Sequence, residues 1–519
     1  MAAKEPLLYH SSRDDASEAH VTTELDGLRQ ALVTDLVTRA TGAYQAREWA
    51  SALNLFRYIA DTYPAIGDEL SCRLIIARCE IELAEPATLK SCESAAAPPR
   101  ASSHHAALVH DIKLRAIECC RAADFRRASR LLRLIAAVDG PIGRCYADGM
   151  LTRRSDCTRY LRPPTDAAPP HFLNDLGIDD RTVAALLWRH RGTRVLFVRR
   201  YAYFNNPARQ HESQDRLTRA ARDRGLIVHE MNATALPGPA TDGYVAALRQ
   251  TIEAFAPQVI IYDELFMSGV SAQPGHGEAI ASLLEDERRR RGVRVVKAYT
   301  DAWYVATYTP ENLFKHLGRA YDLVQHCHPA ILDRGTDAEK AAVFCYPVPH
   351  FVPTPTVEAG TVPRAGFVGS ATLINISRLV WWAECACAGM PLDFIEGPVH
   401  PTEQQISDLD YANLLRAYQL AVNFTQRPTG ARILTGRALE VPLAGGVLVE
   451  EDGPDTRHFM SPGVHYVPYE TLPDLCEILP ALLADAPRRR QLAAAGQAWA
   501  MRYFTGDHFW AGLLHRLYG

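Results

Sequence analysis

From Glu24 to about Arg159, apolar residues return every three or four positions and almost nothing alternates as a strand would, which predicts helices throughout. Two parts of this region share one pattern. Ala43-Tyr44, Trp49-Ala50, Leu53, Phe56 and Pro64 are echoed by Ala123, Phe125, Ala128, Leu131-Leu132 and Pro141. Small residues let paired helices approach, so the pattern predicts helical hairpins. A Pro-rich joint from Arg162 to Pro170 ends the region. Short, doubly apolar strands then alternate with helical stretches: Arg194 to Arg199, Leu226 to His229, Gln258 to Tyr262, Val293 to Ala298, Leu323 to His326 and Ala342 to Cys345. That alternation predicts a parallel sheet with helices on both faces. A second Pro-rich crossing, Pro347 to Pro363, leads to another such sheet. Its strands are Ala365 to Ser370, Leu392 to Glu396, Leu420 to Phe424, Val447 to Val449 and Val464 to Val467, with a helix at Tyr411 to Tyr418 and another beginning near Leu434. A helical tail, Pro473 to Arg502, and an aromatic helix with Phe504, Phe509 and Trp510 close the chain. The expected domains are residues 1–165, all helix, 180–352, a first α/β domain, and 363–519, a second.

Composition narrows the class. At 519 residues the chain is too long for one core, and 47% hydrophobic with 22% charged residues is ordinary for a globular protein. A net charge of −4 argues against a nucleic-acid binder, whose affinity needs excess Lys and Arg. The first residues lack a signal-peptide core and no run of about eighteen apolar residues occurs, so a cytoplasmic location without a transmembrane segment is expected. Twelve scattered cysteines with no C-x-x-C pair indicate neither a disulfide framework nor a zinc module. The trio His326-Cys327-His328 offers two ligands on one strand face, too few to close a metal shell.

Ligands of parallel sheets bind beyond the carboxyl ends of the strands, so the residues there are the candidates for chemistry. In the first sheet they are Tyr203, Asn205 and Asn206, suited to sugar hydroxyls, then Glu264, Asp301 with Trp303, and His328. Asp301 reads as a general base toward an acceptor hydroxyl or as a helix N-cap, and His328, before Pro329, as an acceptor contact or a structural residue. In the second sheet Gly369-Ser370 ends the first strand, and Asn423 and Gln426 follow the third. The segment from Arg427 to Glu451 then runs through a loop, a short helix with Arg437 and Glu440, a Gly445-Gly446 break and a buried strand. A helix starting at a loop directs free N–H groups at an anion, and Arg432 and Arg437 stand beside it. Arg437 and Glu440 also fit a plain i,i+3 surface pair.

The helical region's hairpins resemble the second half of a tetratricopeptide repeat, at about two repeat lengths. Arg437-x-x-Glu440, the glycine pair and an acid-ended strand resemble the nucleotide-sugar site of GT-B glycosyltransferases, closest to the "glycosyl transferases group 1" type that includes the spore-maturation enzymes. The order of pieces from Ala365 to the end, through Pro462-Gly463-Val464-His465-Tyr466-Val467-Pro468-Tyr469, resembles that family too. The resemblance implies a GT-B fold, two Rossmann-like domains facing a cleft, preceded here by the helical domain. It implies that Glu440 holds the nucleotide ribose and basic residues the diphosphate. Arg432 stands where many retaining members carry a second glutamate, which leaves the stereochemical course open.

With no convincing Asp-x-Asp pair, the diphosphate charge is assigned to Arg432, Arg437 and helix N–H groups, with no metal and no cofactor beyond the nucleotide-sugar co-substrate. Asp301, Arg437 and Glu440 are the expected catalytic residues. Gly369, Ser370, Asn423, Gln426, Arg432, Arg437 and Glu440 bind the donor, while Tyr203, Asn205, Asn206, Glu264, Trp303 and His328 face the acceptor. The expected function is metal-independent sugar transfer to a protein, peptide or glycan acceptor, with the helical domain either a docking surface for a polypeptide or a support for the catalytic part. A sugar-nucleotide epimerase, a repeat-type adaptor with a silent GT-B half and an unrelated nucleotide-binding regulator are the alternatives.

Overall fold

The helical spacing of the first region becomes helices in the computed structural model, which describes residues 15–69, 71–84, 103–150, 155–164, 170–199, 202–203, 206–210, 212–232, 242–263, 276–298, 310–329, 335–347, 352–370, 375–396, 407–426 and 430–519. The chain forms two compact units, Met1–Gly143 and Arg144–Gly519. Regular structure in the first is all helical among the described residues, with Asp15–Gln45, Trp49–Thr62, Cys72–Leu83, Ser103–Arg121 and Phe125–Ala136 its longer members.

The two segments with one sequence pattern turn in one way. The Glu48 N–H donates to the Ala43 carbonyl at 2.9 Å and the Asp124 N–H to the Cys119 carbonyl at 2.8 Å. Each bond spans a residue with left-handed backbone, Arg47 at φ 60° and Ala123 at φ 58°. This is how a helix satisfies its last carbonyls while the chain folds back. Trp49 and Phe125 open the returning helices, whose Phe56, Ala128, Leu131 and Leu132 are buried. The expected hairpins are thus present. The buried Glu82 carboxylate of Cys72–Leu83 ties that helix to the second hairpin by ion pairs to Arg115 at 2.9 Å and Arg127 at 3.8 Å, with Arg78 of its own helix at 3.9 Å.

The second unit holds two parallel sheets. The strands of its first half are β1 (Arg194–Arg199), β2 (Ala202–Tyr203), β3 (Asn206–Gln210), β4 (Ile227–Asn232), β5 (Val259–Asp263), β6 (Arg294–Ala298), β7 (Leu323–His326) and β8 (Val343–Cys345). The first sheet runs β4-β1-β5-β6-β7-β8, and β5 is buried along its whole length, as a central strand covered on both faces must be. Strands β2 and β3 pair with each other in a separate antiparallel ribbon, which the periodicity did not reveal.

The second sheet, in the order β10-β9-β11-β12-β13, is built from β9 (Val362–Gly369), β10 (Leu392–Glu396), β11 (Tyr418–Asn423), β12 (Leu448–Glu451) and β13 (Val467–Tyr469). The last begins where the sequence predicted a strand to end. Pro462-Gly463 turns the chain, with Gly463 at φ +74° and its N–H donating to the Tyr466 carbonyl at 2.7 Å, so residues 463–466 belong to the turn.

One core joins the sheets. The final helix, Gly506–Tyr518, follows the second sheet in sequence but packs Phe509 against Phe344 and Tyr346 of the first half, with ring centroids 5.7 and 5.9 Å apart. Its Trp510 donates to the Leu217 carbonyl at 2.7 Å. Residues 155–164 are strapped to the second half, Ser155 donating through N–H and Oγ to Asp474 at 2.9 and 2.8 Å and Arg488 donating to the Tyr160 and Leu161 carbonyls at 3.0 Å. Among the described residues no helix is long and apolar enough to cross a membrane, and the cysteines are free thiols.

Candidate active site

The helix predicted near Leu434 spans Gly436–Leu443, with Thr435 as N-cap. Thr435 makes no side-chain cap bond to that helix, because its Oγ1 accepts from Asn423 Nδ2 at 2.8 Å instead. The first N–H groups of the helix therefore lack the usual capping oxygen. Asn423 ends β11 and is fully buried. Its amide nitrogen also donates to Glu450 Oε2 at 2.8 Å, which turns its oxygen to accept from the Arg437 guanidinium, again at 2.8 Å.

Arg437 is held on two further sides. Its guanidinium lies over the Phe367 ring, 4.6 Å from the centroid, and a Cβ at Gly369 would collide with its terminal nitrogen. Among the described residues its buried Nε has no partner. Glu440, one turn on and partly exposed, accepts from the Tyr411 hydroxyl at 2.7 Å. Burial, and then the Glu440 carboxylate, push the Tyr411 phenol up, so it stays a donor at neutral pH. Gly369, Asn423, Arg437 and Glu440 thus converge at the carboxyl ends of β9 and β11.

Ser370 follows Gly369. Its carbonyl accepts from Arg378 at 3.2 Å and its hydroxyl from Asn375 at 3.4 Å. Arg378 is a cation that sequence reasoning missed. It lies in the apolar helix Ile376–Cys387, buried, 5.5 Å from the Phe367 centroid on which Arg437 also rests. Only the i+8 offset from Gly-Ser could have flagged it. Gln426 is buried, with its carbonyl accepting from Ser377 Oγ at 2.6 Å and its Nε2 donating to Asp148 at 3.2 Å.

Arg432 is placed differently from Arg437. It lies in the extended stretch before the helix, bridged to Gln426, and its guanidinium meets Glu451 at 3.4 Å and the carbonyls of Asp452 and Glu470 at 3.2 and 3.3 Å. Glu451 in turn accepts the N–H groups of Thr425 and Gln426 at 2.7 and 2.9 Å, which sets the turn after β11. Glu450, its neighbour, is fully enclosed, and burial pushes its carboxyl up to about 8.

His328, after β7, is buried with both ring nitrogens engaged, Nδ1 with Asp455 at 2.6 Å and Nε2 with the Cys327 sulfur at 3.4 Å. Burial alone would drive its pKa down, but the Cys327 sulfur and the Asp455 carboxylate carry it above the ordinary value. Its neighbour His326 is neutral, pushed down to about 3 by burial and by the charge on His328. Tyr203 lies in β2 and Asn206 in β3. Asn205, Glu264, Asp301 and Trp303 lie outside the described residues. Cys157, Asp452 and Glu470 bring ligand-type atoms together, but Arg457 holds Asp452 at 2.8 Å and burial pushes the Cys157 thiol up to about 12.

Residues 376–515, from the helix after β9 to the final helix, match the family described as Glycosyl transferase-like. No curated protein matches the chain. Among solved structures it is similar to Anabaena HepE in complex with UDP and glucose, at 14% identity and TM-score 0.41, over 60% of this chain and 96% of that one. Sucrose-phosphate synthase from Thermosynechococcus elongatus gives 13% identity and TM-score 0.43 over 62% and 98%. A Thermobaculum terrenum O-GlcNAc transferase mutant gives 11% identity and TM-score 0.38 over 94% and 96%. The matched stretch holds four of the second sheet's five strands, β10 to β13, together with Arg378, Asn423, Arg437 and Glu440.

Proposed function

We propose that this protein is a glycosyltransferase that moves a sugar from a nucleoside-diphosphate donor to an acceptor hydroxyl, without a metal, and that the acceptor is a protein or peptide. The observation that carries the donor half is the placement of Arg437. It is fixed between Asn423, the face of Phe367 and the bare Cα of Gly369, one turn before Glu440 and at the uncapped start of a helix. Cation and helix N–H groups there suit a diphosphate, and Glu440 suits the two hydroxyls of a ribose. In the transfer, the bond from the sugar's anomeric carbon to the diphosphate oxygen breaks and a bond to the acceptor oxygen forms. Arg437 and the helix N–H groups take the charge that develops on the leaving diphosphate, and Asp301 takes the acceptor's proton. In this reading Arg432, committed to Glu451 and two carbonyls, sets the shape of the acidic turn rather than meeting the donor. The paired hairpins of Met1–Gly143 support a polypeptide acceptor, since stacked helical hairpins offer an extended surface to another chain.

The test is thermal shift with UDP, GDP, ADP and CDP, then release of nucleoside diphosphate from the matching sugar nucleotides with and without chelator. One nucleotide should stabilise the protein in proportion to its concentration over its Kd. Turnover should survive chelator and be lost in Glu440→Ala and Arg437→Ala, the latter weakening nucleotide binding by about 2 kcal/mol or more. Turnover abolished by chelator would remove the metal-free claim. Arg432 at the place of the second glutamate favours one other reading, an adaptor whose GT-B half binds nucleotide and does no chemistry. Tight nucleotide binding with no release from any sugar nucleotide would establish that reading instead.

A further inference from the structure

A continuous buried polar line leads from the first sheet to Arg437. At its far end His328, just past β7, pairs with Asp455 at 2.6 Å. Asp455 and Thr456 are consecutive in the helix Pro454–Phe459. Thr456 Oγ1 donates to Glu450 Oε1 at 3.3 Å, Asn423 Nδ2 donates to Glu450 Oε2 at 2.8 Å, and Arg437 donates to Asn423 Oδ1 at 2.8 Å. His328, Asp455, Thr456, Glu450 and Asn423 are all buried, so none of these bonds competes with bulk water.

The middle of the line has only one arrangement that satisfies it. A primary amide donates only through nitrogen and accepts only through oxygen. With Glu450 and Thr435 both on the nitrogen side, the Asn423 oxygen must face Arg437. Removing the Glu450 acceptor would free the amide to rotate and would present Arg437 with a second donor, which repels it.

Resting on the reading of Arg437 as the diphosphate-binding cation, we propose that Glu450 and Asn423 are its positioning residues. The His328–Asp455 pair, on this proposal, references their placement to the first sheet. The order of the guanidinium is then set by the sheet that faces the acceptor as well as by the one that binds the donor. Pre-set donors are worth more to a transition state than donors that must reorganise.

The experiment has two readouts, chosen so that failure of the donor reading and failure of this inference are told apart. The first is the Arg437 Nε–H resonance of the ligand-free full-length protein, assigned by its disappearance in Arg437→Ala. Glu450→Leu and Asp455→Asn should shift or broaden it, whereas Glu450→Gln, which keeps an oxygen for Asn423, should restore it. The second is the Kd for whichever of UDP, GDP, ADP and CDP binds the wild type most tightly. Glu450→Leu should weaken that binding on the order of 10-fold, Glu450→Gln should leave it near the wild-type value, and Glu450→Leu added to Arg437→Ala should cost nothing more. An unchanged resonance in both Glu450→Leu and Asp455→Asn overturns the inference, as does a full additive loss in the Arg437→Ala background. If none of the four nucleotides binds while the resonance responds as expected, the positioning line stands and the diphosphate reading falls.

Discussion

Gly369 shows how much a single position can carry. It ends β9 with nothing between its Cα and the Arg437 guanidinium, so any side chain there must push the arginine aside. Gly369→Ala is expected to weaken nucleoside-diphosphate binding by roughly 10- to 100-fold while hardly moving the melting temperature, because the displaced group is the end of a flexible side chain. Calorimetric titration beside a thermal melt checks both halves. Glu450 makes the second prediction at this scale. Its carboxyl holds its proton more tightly in the folded protein, at about 8 against an ordinary 4.5, because burial penalises the charge. Its contribution to stability is complete below pH 4.5 and is lost as pH rises through about 8. Wild-type melting temperature should therefore fall more steeply across that window than that of Glu450→Gln, and melts from pH 5 to 9 measure the difference. The placement of Arg437 and Glu440 on a helix and of Gly369 at a strand end was legible because each sits at a fixed offset from a break or a strand end. Arg432 and Arg437 were not distinguishable, since only the helix start at Gly436 puts Arg437 on the helix and Arg432 in the stretch before it. Arg378 was hidden in an apolar helix, and the role of Glu450 depends on a partner 27 residues away.

At the scale of the element, regular segments were read well and their junctions less so. β1 and β7 fall where apolar runs placed them, since a buried strand needs apolar residues on both faces. β13 did not, because a turn residue like Val464 is as apolar as a strand residue. The helical hairpins were visible as a repeated spacing, but the left-handed residue in each turn was not, since Arg47 and Ala123 are not glycines. That choice leaves strain. A side chain in the left-handed region costs about 1–2 kcal/mol, of which glycine's greater freedom in the unfolded chain returns about 0.5–1. Ala123→Gly should consequently stabilise the helical unit by about 0.5–1 kcal/mol. Ala128→Gly, mid-helix and buried, should destabilise it. Urea unfolding followed by far-ultraviolet circular dichroism separates the two signs, and a loss of stability in Ala123→Gly would mean that the turn is not strained.

At the scale of the whole chain, the two parallel sheets could be read from the sequence but not the sharing of their core. Periodicity reports which face of an element is apolar, not which distant element covers it. Trp510 lies 293 residues from Leu217, whose carbonyl it meets, and Phe172 stacks among Tyr346 on one side and Phe459, Trp499, Tyr503 and Phe504 on the other. Apolar side chains of both sheets, Val195 and Phe197 with Val368 and Leu448 among them, fall in one buried cluster. Two sheets that share side chains cannot lose them separately, so Arg144–Gly519 should unfold as one cooperative body. Trp510→Ala removes a fully buried indole and a hydrogen bond from that shared layer and should cost about 3–5 kcal/mol. The distinguishing feature is where the cost appears. Native-state hydrogen exchange of amides in β5 and in β12 should be accelerated together and to the same degree, because both open only when the common core opens. Acceleration confined to β5, with β12 as protected as in the wild type, would show that the final helix serves the first sheet alone and that the two halves hold independent cores.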